Sequence, residues 1–223
     1  LEEMRGLSDG AGVPYADVCR MHAVPDISEF HCSFFAAWGK ATRDGHLIQI
    51  RALDYATMAG IQKYPALVVY EPDDGVPFVN VGWCGFVGMV TGMNAEGIAM
   101  SEIGDHLGDE HETLDGEPMP FVMRDVIQHS RSLGEAIYRV RRAPRTSSFL
   151  YCIGDAEARD ARALVTCLLY TSDAADDLLR ADPGGRRIIK NNRIQTPVHR
   201  PTHNTRQQLS TEPTLHPHSR IAI

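Results

Sequence analysis

The feature that most constrains the fold is a succession of short apolar segments, separated by turn signals, between residues 34 and 101. Asp-Gly pairs at positions 44–45 and 74–75 favour tight hairpins between neighbouring strands. The predicted strands are Phe34–Trp38, Leu47–Leu53, Ala66–Tyr70, Phe78–Trp83, Phe86–Thr91 and Gly97–Ser101. Ala66–Tyr70 is apolar throughout, which is typical of a buried strand. Short connections between successive strands predict an antiparallel meander.

Helical patterns lie on both sides of this run of strands. Helices are predicted around Glu2–Leu7, Tyr15–His22 and Phe121–Ile127, and a fourth after the capping pattern Ser132–Glu135. Further strands are predicted at Phe149–Ile153 and Ala163–Val165. Pro25 and Pro144 are expected to end the second and the fourth helix. Strands, then a helix pair, then further strands predict an α+β fold with helices on one face of an antiparallel sheet.

Cys32 and Ser33 open the first of these strands, in the strongly apolar segment Phe30–Gly39. Taken alone, this window favours a buried core cysteine, because most unpaired cysteines pack as small apolar side chains. The five cysteines, at positions 19, 32, 84, 152 and 167, form no CxxC pair and show no metal-ligand spacing. The cysteines are therefore predicted to be free thiols, and any role of Cys32 depends on the motifs that follow it.

Several motifs follow Cys32 in a characteristic order. They are Ala41–Gly45, Arg51-Ala52-Leu53-Asp54-Tyr55, Gly85–Gly88, Thr91-Gly92-Met93-Asn94-Ala95-Glu96-Gly97 and Pro144-Arg145-Thr146. Their order and spacing resemble the penicillin acyltransferase-like (acyl-coenzyme A:6-aminopenicillanic acid acyltransferase) family of Ntn hydrolases, which is related to the choloylglycine hydrolases. The resemblance covers about Glu2 to Thr166, and the segments around Cys32, Asp54 and Asn94 are its specific part. Ala52 departs from the family's Arg-Asn-x-Asp pattern.

The resemblance implies an enzyme that activates itself by cutting its own chain between His31 and Cys32. Cys32 would then be the nucleophile that attacks amides, with its own α-amino group as the base. By the same likeness Asp54 would orient that amine, Arg51 would fill the family's arginine position, and Asn94 would donate a hydrogen bond to the oxyanion. The implied substrate is a small-molecule amide or acyl compound with a non-peptide C–N bond, and neither a metal nor a cofactor is expected.

The resemblance also implies a domain organisation. Residues 1–31 would be a pro-segment, and residues 32–166 would be part of an Ntn-hydrolase domain, a four-layer αββα sandwich truncated on its C-terminal side. As written, the chain is expected to be inactive, because one of its two sheets would lack strands.

Other interpretations of these residues stay open from the sequence alone. Arg51 and Asp54 would also suit an exposed ion pair at a strand end, and Asn94 would suit an ordinary turn. The aromatic residues Trp38, Tyr55, Trp83 and Phe86 would either line an acyl pocket or, more commonly, belong to the core. For the whole protein, the alternatives are an Ntn hydrolase of another branch, acting on ceramide-like or lipid amides or esters, and a non-catalytic binding scaffold.

The distribution of charged residues along the chain indicates which kinds of partner the protein does not bind. Residues 1–166 carry 14 Lys and Arg against 24 Asp and Glu, whereas residues 167–223 carry 8 against 5. An acidic body argues against nucleic acid as the main partner, since phosphate binding needs clustered cations. No stretch of about 18 apolar residues is present, so no membrane span is predicted.

Residues 167–223 are expected to be an artefact rather than natural protein sequence. The run from Cys167 to Asp176 resembles one reading frame of a transposase-type sequencing adapter. The adapter frame continues through residues 181–189, from which it differs only at Ala181 and Pro183. Composition alone would favour a natural disordered basic tail, but the length of the adapter match outweighs that interpretation. The segment is predicted to form no packed structure, and its four histidines are given no role.

Overall fold

A computed structural model describes residues 2–27, 32–104, 112–166 and 171–173. The chain divides into two compact units, Leu1–Arg180 and Ala181–Ile223, and all the elements named below belong to the first. The helices are α1 Glu2–Ala11, α2 Tyr15–Ile27, α3 Met119–His129 and α4 Leu133–Arg142. The strands are β1 Cys32–Gly39, β2 Gly45–Leu53, β3 Pro65–Tyr70, β4 Phe78–Trp83, β5 Thr91–Asn94, β6 Ile98–Gly104, β7 Phe149–Asp155, β8 Asp160–Thr166 and β9 Thr171–Asp173.

Seven strands form one antiparallel sheet in the order β3-β4-β5-β6-β7-β8-β9. The predicted meander is confirmed for β3 to β6, whereas the first two predicted strands form a sheet of their own. The strand predicted over Phe86–Thr91 is wrong, because β5 begins only at Thr91. The preceding residues instead form a loop, in which the main chain of Met89 bonds to Pro120. The burial predicted for Ala66–Tyr70 is wrong too. As β3 it is an edge strand of the described sheet, and Leu67 and Val69 are 67% and 65% exposed.

Strands β1 and β2 form a separate two-stranded sheet that packs on the larger one. Its turn ends at Gly45, whose φ of 77° confirms the hairpin predicted from the Asp-Gly pair. The Gln49 side chain donates to the hydroxyl of Ser101 at 2.7 Å and to the carbonyl of Cys152 at 3.1 Å, which fixes the hairpin across β6 and β7. Gly154 permits this close approach, since a Cβ there would clash with the Gln49 amide oxygen.

The main core lies between the seven-stranded sheet and helices α3 and α4. Its fully buried members from the two helices are Met123, Val126, Ile127, Ala136 and Val140, and those from the sheet include Ile98, Met100, Tyr151, Ile153 and Leu164. Ser132 caps α4 as predicted, its hydroxyl accepting the N–H of Glu135 at 3.3 Å. The described layers are thus hairpin, sheet and helices, and Phe35, Ile48 and Ile50 are exposed on the hairpin.

Helix α2 continues past Pro25 to Ile27, whereas the sequence predicts that Pro25 ends it. Proline removes only one hydrogen bond so close to a helix end, and tertiary contacts hold this turn. His22 stacks on Phe86 with ring centroids 4.9 Å apart, and its Nε2 accepts the N–H of Val87 at 2.9 Å. Helix α2 therefore packs firmly against the body of the domain.

The structure also continues beyond Thr166. Strand β9 pairs with β8, Thr166 being opposite Thr171. The prediction that no packed structure follows residue 166 is therefore wrong for residues 171–173, because β8 offers an edge on which the chain forms a further pairing. The rest of the segment predicted to be an artefact lies outside the described residues.

Candidate functional site

Cys32 is the first residue of β1, and the antiparallel register places it opposite Leu53, the last residue of β2. Its sulfur accepts a hydrogen bond from Nη2 of Arg51 at 3.3 Å. The main-chain N–H of Asp54 also donates to this sulfur. The hairpin thus brings together three of the residues predicted to form the site, namely Cys32, Arg51 and Asp54.

Arg51 forms a buried ion pair with Glu102 of β6, and each side chain is only 5% exposed. Its Nη1 donates to the Thr91 hydroxyl at 3.1 Å, and its Nε donates to the main-chain carbonyl of Glu102 at 3.4 Å. Each of the three guanidinium nitrogens therefore donates at least one hydrogen bond, which fixes the position of the side chain. The alternative of an exposed ion pair between Arg51 and Asp54 is wrong, because Arg51 is buried against Glu102.

The charges around Cys32 oppose one another. Burial raises the pKa of the Cys32 thiol and the carboxylate of Glu102 raises it further, whereas Arg51 and the N–H of Asp54 lower it. Burial also raises the pKa of Glu102, against the lowering effect of Arg51. In the uncut chain Cys32 is therefore held as a neutral thiol at neutral pH and needs a base before it can act as a nucleophile.

Asp54 follows the end of β2, and the residue is exposed. Because Cys32 is the first residue of β1 and pairs with the last residue of β2, Asp54 and Cys32 lie at the same end of the hairpin. That the Asp54 carboxylate orients the amine of Cys32 stays a prediction. His31, the other residue of the predicted cut, lies outside the described residues.

A cavity of about 600 Å³ opens beside Cys32. Its walls are mainly apolar and include Met21, Val24, Leu53, Tyr55, Trp83 and Phe86. Three of the four aromatic residues considered for an acyl pocket therefore line it, and Trp38 does not. Cys32 and Glu102 add polar groups to this lining, so the arrangement suits a ligand with an apolar body and one polar reacting group.

Asn94 does not belong to this arrangement. Its Nδ2 donates to the carbonyls of Ile127 and Ser130 at 2.8 and 2.7 Å, and its Oδ1 accepts from the N–H groups of Glu96 and Ile98. The residue is 4% exposed, and both amide hydrogens are in use. The structure thus contradicts the oxyanion-donor role predicted for Asn94. Its side chain instead ties the β5–β6 turn to the end of α3.

Asn94 is also too far along β5 to reach the residues around Cys32. Thr91, at the start of the strand, contacts Arg51, whereas Asn94 is the last residue of the strand. Three residues of extended chain separate the two by about 10 Å. The turn interpretation of Asn94, which the sequence left open, is the one that matches its contacts.

Glu102 is the site residue that sequence reasoning missed. The sequence signal was available, because an acidic residue stands in the apolar strand Ile98–Gly104. A buried carboxylate requires a partner, and a buried arginine requires one as well. The sequence does not show that Arg51 is that partner, since 51 positions separate the two residues.

Comparison with known proteins shows the family to which this sequence belongs. The sequence model of acyl-coenzyme A:6-aminopenicillanic acid acyl-transferase matches residues 41–171. The chain belongs to this acyl-transferase family. The match includes Arg51, Asp54 and Glu102 and begins after Cys32, which the hairpin register places opposite Leu53.

Relatives of this acyl-transferase family member include longer proteins. The chain is 36% identical to protein dcd1B of Dictyostelium discoideum over 73% of its own length and 33% of that protein. It is 22% identical to the N-acylethanolamine-hydrolyzing acid amidase of Oryctolagus cuniculus over 81% of its own length and 50% of that protein. The chain thus spans between a third and a half of the length of these two relatives.

A solved structure supports the fold. The Caenorhabditis elegans ortholog of N-acylethanolamine-hydrolyzing acid amidase superposes with a TM-score of 0.54 at 16% identity, covering 64% of this chain and 62% of that one. The acyl-transferase family member therefore has the Ntn-hydrolase fold predicted from its motifs, with the α+β organisation described above.

Three further observations concern the described residues only. Cys19, Cys32, Cys84 and Cys152 are all free thiols, as predicted, and Cys167 lies outside the described ranges. Within those ranges, no three His, Cys, Asp or Glu side chains converge on a possible metal site. The described helices include none that is long and apolar enough to span a bilayer.

Proposed function

We propose that this protein is a cysteine amide hydrolase or acyltransferase that activates itself by cutting the His31–Cys32 bond. The observation that carries the proposal is the position of Cys32, beside an apolar cavity and in contact with Arg51 and the N–H of Asp54. A thiol, a fixed guanidinium and a cavity for an apolar group form a coherent site for attack on an amide.

Self-cleavage would proceed as an N-to-S acyl shift. The thiol of Cys32 attacks the carbonyl carbon of His31, the C–N bond breaks, and a thioester forms while the nitrogen takes up a proton. Water then hydrolyses the thioester. The products are a carboxylate at His31 and a free α-amine and thiol at Cys32.

The new α-amine supplies the base that the uncut chain lacks. An α-amine titrates near neutral pH, so it can take the proton of a thiol whose own pKa is raised by burial. Asp54, whose main-chain N–H bonds to the Cys32 sulfur, would stabilise the ammonium form of this amine through its carboxylate. Arg51, held by Glu102, would fix the sulfur in line with the bound amide.

The substrate would carry an apolar acyl group. The cavity of about 600 Å³ is lined by apolar and aromatic side chains, which favours a lipid-like chain over a charged one. A relative at 22% identity is an N-acylethanolamine-hydrolyzing acid amidase, a name that describes an amide substrate with an acyl group on its nitrogen. The thioester formed at Cys32 would pass its acyl group to water in hydrolysis, or to an amine in acyl transfer.

Intact mass and N-terminal sequencing test the proposal in the longest natural gene product that contains residues 1–166. A mature chain that begins at Cys32 is expected. Cys32→Ala should leave an uncut, inactive precursor, and Cys32→Ser should be cut slowly, because a hydroxyl can undertake the same shift. Asp54→Asn should slow maturation, since it removes the charge beside the new amine.

Cys84→Ala is the matched control, because Cys84 lines the same cavity but is an exposed thiol without the contacts of Cys32. It should mature and turn over normally. Full amidase activity in a chain still joined through His31 and Cys32 would exclude the scheme. A precursor that remains uncut and whose Cys32 traps no acyl group would instead indicate a binding scaffold.

A further inference from the structure

Helix α3 receives its N-terminal cap from a distant part of the chain. The residue before it, Pro118, has no side-chain acceptor, and no cap bond is formed from that position. The first N–H of the helix, on Met119, instead donates to the carboxylate of Asp26, at 2.9 Å to Oδ1 and 3.2 Å to Oδ2. An acidic group at this end of a helix is favoured both by the free N–H groups and by the helix dipole.

The same carboxylate also holds a third segment. Oδ1 of Asp26 accepts the hydroxyl of Thr146 at 2.6 Å and that of Ser147 at 3.0 Å. Both hydroxyl residues are buried and lie between α4 and β7. Asp26 therefore joins α2, the start of α3 and the chain that enters β7 at one point.

This junction stands beside the cavity that contains Cys32. Pro25 and Met119, the chain neighbour and the hydrogen-bond partner of Asp26, both line that cavity. Asp26 lies on the N-terminal side of the proposed cut and six positions before Cys32, a distance that the chain spans in at most about 20 Å. Cys32 on the other side is fixed by its pairing with β2.

We propose that Asp26 is a positioning residue for self-cleavage. It fixes the upstream end of the segment that carries the scissile bond, while the β1–β2 pairing fixes the downstream end. Holding both ends of a segment restricts the orientations of a bond within it, and such restriction accelerates attack within one molecule. This inference rests on the proposed cleavage between His31 and Cys32.

The rate of cleavage tests the proposal, measured by intact mass after refolding of the longest natural gene product. Asp26→Ala should slow cleavage at least about tenfold, because it frees the upstream end. Asp26→Asn should stay within about threefold of the wild-type rate, since its amide oxygen can accept the same N–H and hydroxyl groups. Asp17→Ala is the matched control, an exposed residue of the same helix that pairs with Arg20, and should cleave normally.

A second variant separates positioning from folding of α3. Thr146→Val combined with Ser147→Ala removes two donors to Asp26 but keeps the cap on Met119, and should slow cleavage about threefold or more. Each substitution is repeated in the uncut Cys32→Ala background, where urea unfolding gives the folded fraction. The proposed role requires slow cleavage in precursors that remain folded.

The outcomes are distinct. Wild-type rates for Asp26→Ala or for the Thr146–Ser147 variant would overturn the inference and leave the proposed function intact. Slowing that only follows the loss of folded precursor would overturn it too. If the wild type and Asp17→Ala both stay joined through His31 and Cys32, the proposed cleavage itself fails, and this inference fails with it.

Discussion

Replacing Glu102 with Gln should weaken the fold and make Cys32 more reactive at the same time. Both side chains of the Arg51–Glu102 pair are 5% exposed, so it belongs with buried ion pairs. Removing one partner of such a pair costs about 3–5 kcal/mol, against about 0–1 kcal/mol for exposed pairs. Arg51 keeps the Thr91 hydroxyl and the Glu102 carbonyl, and the Gln oxygen can still accept from Nη2. We therefore expect a loss near the lower limit, about 3 kcal/mol.

The change in reactivity follows from the same charges. The Glu102 carboxylate raises the pKa of Cys32 and the Arg51 guanidinium lowers it. Without the carboxylate, the guanidinium remains 3.3 Å from the sulfur and uncompensated. A unit charge a few ångströms away contributes about 2–4 kcal/mol at an effective dielectric of about 20, so alkylation of Cys32 should become about tenfold faster or more. Arg51→Met should have the opposite effect on the thiol and slow its alkylation.

Both quantities can be measured on one protein. Urea unfolding followed by circular dichroism gives the stability, and iodoacetamide labelling with peptide mass analysis gives the rate at each cysteine. Exposed Cys84 is the internal reference, and buried Cys152, whose pKa is raised to about 12, reports labelling through unfolding. If Cys32 reacts faster only in step with Cys152, or if Glu102→Gln and Arg51→Met change its rate in the same direction, the electrostatic explanation is refuted.

Three further predictions concern other parts of the structure. Asn94→Ala should lower the free energy of unfolding by about 3 kcal/mol or more, because buried N–H and carbonyl groups lose their partners, yet leave Cys32 alkylation unchanged; normal stability with lost turnover would instead restore the oxyanion role. Burial lowers the pKa of His22, so the folded protein binds its proton less readily than the unfolded chain does. The stability that this contributes is complete at a pH above the ordinary histidine pKa, and it should fall as the pH drops below about 6.5. His22→Phe, which does not titrate, should lose less stability in urea unfolding between pH 7 and 5 than the wild type. A long-chain acyl amide should change the emission of Trp83 in a Trp38→Phe background and slow Cys32 labelling, and no response would exclude the cavity as an acyl site.

Where the sequence predicted the structure correctly, neighbouring residues decide the outcome. Gly45 adopts the positive φ that the Asp-Gly hairpin needs, and Ser132 caps α4 through a residue three positions away. The order β3-β4-β5-β6 follows in the same way, since short connections favour antiparallel neighbours. The Ntn-hydrolase fold was predicted from the order and spacing of short sequence motifs, which are likewise visible along the chain.

Where the sequence failed, distant contacts decide the outcome. Pro25 does not end α2, because the following Asp26 is held by Met119, 93 positions later. Asn94 looked available for catalysis, but its amide is used by the end of α3. The uniform apolar pattern of β3 predicts burial, whereas only the sheet order shows that it is an edge strand.

The candidate site shows the same division. The sequence by itself determined the types and spacing of Cys32, Arg51 and Asp54, and one hairpin carries all three. Its register at the site also depends on an irregularity between Ala37 and Gly39. Only the tertiary structure decided that Glu102 neutralises Arg51 and that α2 closes the cavity. The physical reason is that a buried charge must be paired wherever the packing of two sheets places it, and sequence separation carries no information about that placement.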